Sequence, residues 1–276
     1  MKYGISRDAR PQATLLLTAA IISIVLWFIP FAEIVTYPFR IFVTFIHEGG
    51  HAIAALLTGN SVESLSIATN ASGETYTSVG GTFSQVFVSS AGYLGSMAFG
   101  ALLLVLIRKA IAARVVLIGS AAIIFALTLI YGLIKPAMTG VVSSALPFTI
   151  LAGTLLGVGL VAVAKYASAR VASFLVSFLA VQCVLNALLD LKTVFFLSSP
   201  FGPTVPTDAV NMANATGIPA MVWSVAWIGI AIAILAVTMR LYVSSRKKQF
   251  QLDLSRPFDQ IPAVFPTTLS ESQNVR

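Results

Sequence analysis

Long apolar runs, rather than short alternating stripes, organise this chain. Seven stretches, roughly 12–32, 38–58, 84–107, 115–134, 140–164, 171–196 and 219–241, are dominated by Leu, Ile, Val, Ala and Phe. About 20 such residues let a helix cross a bilayer core. One interval has a different period. Between the second and third runs, Ser64-Leu65-Ser66-Ile67-Ala68-Thr69 alternates polar and apolar residues. Asn70-Ala71-Ser72-Gly73 then supplies turn residues and Glu74 to Val79 is rich in strand formers. This pattern predicts a β-hairpin ending at Gly80-Gly81. A second polar interval, Ser198 to Gly217, contains Pro200, Pro203 and Pro206 and predicts a short capped turn at Thr207-Asp208. The expected fold is an all-α polytopic membrane protein with about six to seven transmembrane helices and a short β-hairpin after the second. Residues 1–245 are read as a single polytopic domain and 246–276 as a polar, flexible tail. No internal repeat is visible, which argues against a transporter built from inverted halves.

Composition sharpens this picture. Hydrophobic residues make up 57% of the 276 positions, charged residues 10%, and the mean hydropathy is +0.91. A soluble domain carries roughly 25% charged residues, so the expected setting is the cell membrane, multi-pass, with the lipid bilayer as partner. The net charge of +7 falls in tails and between runs, as at Lys2, Arg7, Arg10, Arg108, Arg114, Lys165, Arg170 and Arg246-Lys247-Lys248. Loops near anionic lipid account for that spread. Nucleic acid is excluded as a partner, because no folded face concentrates the basic residues. Cys183, alone in an apolar run, reads as a small buried hydrophobe. Ala13 to Phe31 follows basic residues as a signal peptide would, yet it is too long for one and is expected to remain as an anchor helix. Placing the loops at 108–114 and 165–170 and the C-terminal cluster on the cytoplasmic side suits the last four runs. Seven full crossings would then put the basic N-terminus outside, so one of the first three segments is expected to be re-entrant or to lie partly in the interface.

The candidate chemistry lies in the second run, at His47-Glu48-Gly49-Gly50-His51. Positions i and i+4 share a helical face, so both imidazoles can reach one metal ion, with Glu48 beside them to act on an activated water. These are the only two histidines in the chain. An ionisable residue at the bilayer centre costs about 2.5 kcal/mol or more, and three in five positions need a partner that offsets the cost. One Zn2+ ion would do so. Gly49 and Gly50 have two readings: keeping that face open, or close helix–helix packing.

A catalytic zinc takes three protein ligands and one open position. With no third His and no suitable Cys, the third should be acidic. Asp190, inside the apolar run Val184 to Leu191, is the first candidate by elimination, and Asp208 in the polar loop is the alternative. Asn186, four residues before Asp190, shares its helical face and is a candidate to orient that carboxylate or bind substrate backbone.

His47-Glu48-x-x-His51-Ala52, followed by Ala55-x-Leu57-Thr58-Gly59, a hairpin, and Ser90-Ala91-Gly92-Tyr93-Leu94-Gly95, resembles the site-2 protease family of intramembrane zinc metalloproteases, in its compact bacterial branch. The resemblance covers residues 38–107 well and the regions 186–190 and 208–227 more loosely. It implies that His47 and His51 bind zinc, that Glu48 is the general base and that a downstream Asp completes the site. Two departures stand out. Asp190 precedes Leu191 where family members have Gly, and Ala91-Gly92-Tyr93-Leu94-Gly95 stands where a Gly-Pro-x-x-Asn element is common.

The expected activity is hydrolysis of peptide bonds in membrane-embedded protein substrates. A helical substrate must unwind first, and the hairpin, with Tyr76 and Thr77, is a candidate to hold the unwound segment as an added strand. The rival from another class is a non-proteolytic zinc-binding membrane scaffold. A metal or proton transporter is disfavoured, since the runs lack a string of ionisable residues.

Overall fold

The computed structural model describes residues 10–244 apart from 27, 79, 109–111, 142 and 199–204. The C-terminal tail expected to be flexible, and the basic residues before Arg10, lie outside the described residues.

The chain is mostly helical. Helix α1 (Arg10–Leu26) leads to α2 (Ala32–Leu57), followed by a two-stranded antiparallel hairpin of β1 (Ser61–Ile67) and β2 (Gly73–Ser78). Then come α3 (Thr82–Arg108), α4 (Ala113–Leu127), a π-helical stretch (Thr128–Ile134), α5 (Lys135–Thr139), α6 (Leu146–Tyr166), α7 (Ala169–Leu197), α8 (Asp208–Thr216) and α9 (Ala220–Ser244). Among the described residues five helical stretches are long and apolar enough to cross a membrane: Thr82–Ile107, Ala113–Thr139, Leu146–Tyr166, Ala169–Leu197 and Ala220–Leu241. These correspond to the last five expected runs, and the chain is a multi-pass membrane protein. The first run forms α1, which ends at Leu26, ahead of the end expected from the sequence, with α2 beginning at Ala32. The second, α2, has the length but is not in that group, because Arg40, His47, Glu48 and His51 interrupt its apolar residues.

Helix α3 is the centre of the bundle, packed on α2, α7, α8 and α9. On one side Phe42, Phe45, Leu103, Leu117, Ile124 and Leu179 form the largest buried apolar cluster. On the other, Met97, Leu191, Met212 and Trp227 form a second. The outward faces of the spans carry exposed apolar side chains such as Leu151, Leu155, Val225 and Ile232. A lipid solvent favours that inverted surface, provided that each helix satisfies its own backbone.

The hairpin forms as the alternation predicts, with β1 beginning three residues earlier, at Ser61. Ile67 pairs with Gly73 and Leu65 with Thr75, and the register is irregular between Val62 and Ser64. Side chains of the bundle fasten the hairpin. Tyr37 and Thr44 on α2 donate to the carbonyls of Thr69 and Ala71, the latter at 2.8 Å. Thr149 on α6 accepts from the Ile67 N–H at 2.7 Å. The π-helical stretch also packs on β1, and Pro136 comes two residues after its end. Proline cannot donate to the carbonyl four residues back and its ring crowds that group, so a widened turn at this point relieves a conflict an α-helix would keep.

Candidate metal centre

Helix α2 presents His47 and His51 one turn apart, as their spacing requires, with their Nε2 atoms 3.1 Å from each other. Both imidazoles face α3, and the two helices approach closely there because each offers a glycine. A side-chain carbon at Gly50 would overlap the Ala91 carbonyl, and one at Gly92 would overlap the Nε2 atoms of both histidines. A carbon at Gly49 would stand 2.8 Å from Leu127 Cδ1. Of the two readings for Gly49-Gly50, close packing is the one the structure shows.

The approach of α3 sets the histidine chemistry. His51 Nδ1 lies 2.7 Å from the Val88 carbonyl. Since a carbonyl only accepts, Nδ1 carries a proton, and in the neutral imidazole Nε2 then has its lone pair toward the centre.

Asp208 opens α8. Thr207 caps that helix, its side chain accepting from the Val210 N–H at 3.3 Å. Ala209 and Met212 are buried, the latter in the cluster with Trp227, and α8 packs on α3 and α9. A carboxylate in the first turn is also favoured by the helix dipole. In this position Asp208 Oδ2 stands 3.6 Å from His47 Nε2 and 3.5 Å from His51 Nε2. Burial alone would raise its pKa, but the facing His51 and His47 outweigh that and hold the carboxyl well below the ordinary range. A metal ligand has to be ionised, and this shift favours that form.

The three edges of this triangle are 3.1, 3.5 and 3.6 Å. Ligand atoms placed tetrahedrally at 2.0–2.2 Å from an ion would stand about 3.3–3.6 Å apart. Two imidazole nitrogens and one carboxylate oxygen are also the donor set that a catalytic zinc takes. Geometry and chemistry both fit a metal.

The remaining expected residues surround this group. Glu48 is buried beside it and receives a hydrogen bond from the Thr75 hydroxyl at 2.6 Å. Tyr76 and Thr77 line the main cavity of about 920 Å³ together with His47, Glu48, His51 and Asp208. Asp190 is not in the triad whose ligand atoms lie within 4.8 Å of one another; Asp208 takes that place. Asp190 and Asn186 line an adjoining hollow of about 330 Å³, which also touches His47, Glu48 and Arg40. Asn186 does not hold Asp190. Its amide donates to the Gln182 carbonyl at 2.8 Å and reaches the Gln182 side chain at 3.1 Å.

Some contributors were not anticipated. Tyr93 lines both hollows. It meets the His47 ring edge-on at 4.6 Å and packs on Trp227 at 5.6 Å, and its hydroxyl interacts electrostatically with Asp208. Trp227 is fixed in turn by donating to Ser90 at 3.0 Å. Thr75 and Val88 likewise gave no signal, because a threonine in a strand and a backbone carbonyl carry no motif. Gly92-Tyr93 lay within a stretch the sequence singled out, without a role attached.

Fold and site together define a multi-pass membrane protein with two histidines and an aspartate around one point. Residues 15–238 match the family described as Peptidase M50B-like, and the chain belongs to that site-2 protease-like family of metallopeptidases. No curated protein and no solved structure matches it.

Proposed function

We propose that this protein is an intramembrane zinc metalloprotease that hydrolyses peptide bonds in membrane-embedded protein substrates. The observation that carries the reading is the triangle of His47, His51 and Asp208, with ligand atoms 3.1–3.6 Å apart on one wall of a polar cavity. His47 and His51 are the two imidazole ligands and Asp208 the third, in preference to Asp190, which lies outside the triangle. When bound there, zinc supplies Lewis-acid polarisation and brings the pKa of water near 7.

The protein's own residues do the rest. The bond from His51 Nδ1 to Val88 holds the imidazole in the tautomer whose Nε2 faces the centre. Tyr93 packs edge-on against the His47 ring and restrains it, with its hydroxyl interacting electrostatically with Asp208. Glu48 takes the proton of the attacking water and delivers it to the leaving amine. Strand β2 pairs only with β1 among the described residues, so its other edge is available to an unwound substrate segment, with Tyr76 and Thr77 in contact. Asn186 and Asp190, in the adjoining hollow, are positioned to meet the substrate beyond the scissile bond.

The deciding experiment compares purified wild type with Glu48→Gln, measuring zinc content and cleavage of reconstituted single-span membrane proteins. Both should hold one zinc, and only the wild type should cut. The loss in Glu48→Gln should be about 10²–10⁴-fold, the range of general base catalysis. Wild-type protein without stoichiometric metal, or a variant that cuts equally well, would refute the proposal.

A further inference from the structure

The hairpin has a second connection to the chemistry, separate from any grip on substrate. Glu48 is buried on α2, and its carboxylate points toward β2. The Thr75 hydroxyl stands 2.6 Å from Glu48 Oε2 and 3.3 Å from the Glu48 carbonyl. A hydroxyl has one proton, and the shorter, charge-assisted contact takes it. Two residues earlier on β2, the chain passes so close to this side chain that a carbon at Gly73 would fall 2.6 Å from Glu48 Cγ and 2.7 Å from Cδ. Gly73 thus forms a notch for the carboxylate and Thr75 supplies the donor.

Register fixes both residues. Leu65 pairs with Thr75 and Ile67 with Gly73, and Ile67 is bonded to Thr149 on α6. The line Thr149–Ile67–Gly73–Glu48 therefore runs from a membrane helix, across the hairpin, to the catalytic carboxylate. The hairpin does not need Glu48 for its own attachment, since Tyr37, Thr44 and Thr149 already fasten it. A bond from Thr75 made only for folding would duplicate those three.

From this geometry we infer that Thr75 is a positioning residue for the general base, acting through Glu48, and that position 73 must be glycine for the carboxylate to be seated. The inference rests on the protease reading and adds to it a task for the hairpin that no substrate is needed to see.

The test uses the full zinc-loaded chain carrying Thr75→Val, Thr75→Ser or Gly73→Ala. It follows cleavage of a reconstituted single-span protein that wild type cuts and Glu48→Gln does not. Thr75→Val should keep its zinc and a KM within about twofold of wild type while kcat falls about ten- to hundredfold, as expected for a lost hydrogen bond to a charged base. Thr75→Ser should restore most of kcat, and Gly73→Ala should match Thr75→Val. A second measurement needs no substrate. The carboxylate band of Glu48, isolated as the infrared difference between each protein and its Glu48→Gln counterpart, should shift in Thr75→Val and return in Thr75→Ser. Wild-type kcat with an unshifted band in Thr75→Val would overturn the inference, as would zinc, KM and kcat falling together. Equal cleavage by Glu48→Gln and wild type would instead indict the protease reading, with the band still reporting whether Thr75 holds Glu48.

Discussion

The two walls of the cavity are built on different terms. One wall, α2 against α3, is a tight helix pair closed by Gly50 and Gly92, with the histidines set into the contact. The other is made of short elements, the β1–β2 hairpin and the nine-residue α8, held by side-chain hydrogen bonds and a few buried anchors such as Met212. The first wall contributes the two imidazoles through plain helical periodicity. The second contributes Asp208 and the Thr75 contact to Glu48, and neither position follows from periodicity. Two members of the triangle thus lie on the rigid pair, and the third lies on a short element held by a few anchors.

Replacing the triad member from the second wall is the most severe way to probe this contrast. Asp208→Ala should lose stoichiometric zinc and all cleavage, whereas Asp190→Asn should keep its zinc, as read by metal analysis of the two purified variants. Zinc lost from Asp190→Asn and kept in Asp208→Ala would move the third ligand to α7.

Breaking the open edge comes next. Thr77→Pro removes a backbone donor from the open edge of β2, since the ladder alternation turns the Tyr76 N–H toward Ser64 on β1 and the Thr77 N–H outward. Proline is tolerated poorly where a strand must pair. Cleavage should fall at least about tenfold with zinc content unchanged, because the edge offers several main-chain bonds of roughly 0.5–1.5 kcal/mol each. Unaltered cleavage would leave the hairpin with a supporting role only.

Tyr93 joins the two walls, and its hydroxyl is a smaller target. Tyr93→Phe keeps the ring against His47 and Trp227 but gives up the hydroxyl's electrostatic interaction with Asp208. Metal affinity should drop about 10- to 100-fold, the range for partners that orient a ligand, measurable by competition with a chelator. Wild-type affinity would show that α8 holds Asp208 without help.

The smallest effect is expected in the helix pair itself. Gly50→Ala introduces a carbon that must displace the Ala91 carbonyl, costing about 1–3 kcal/mol as overpacking does. The thermal midpoint should fall by a few degrees. A more stable variant would mean that the two helices are less tightly joined than the first wall requires.

How much of this was legible beforehand differs between the walls. The apolar runs, the hairpin and the pairing of His47 with His51 were readable because each is local: bilayer thickness, strand alternation and the 3.6-residue turn act on neighbours in the chain. The exclusion of α2 from the fully apolar set follows from the polar residues visible in the same stretch. Asp190 ranked ahead of Asp208 because an acid inside an apolar run has the greater need of a partner. That argument weighs the cost of burial and carries no information about direction. Asp208 faces the histidines because Thr207 starts a helix whose Ala209 and Met212 find a pocket on α3 and α9.

The sequence by itself determined the solvent, the helices and the two imidazoles, since those depend on composition and on spacing within a single element. Tertiary structure alone decided which aspartate meets them, that Gly50 and Gly92 admit α3 to the centre, and that Thr75 reaches Glu48 across 27 positions. Contacts between distant segments are set by how apolar surfaces fill space together, and a one-dimensional pattern does not encode the direction in which a side chain then points.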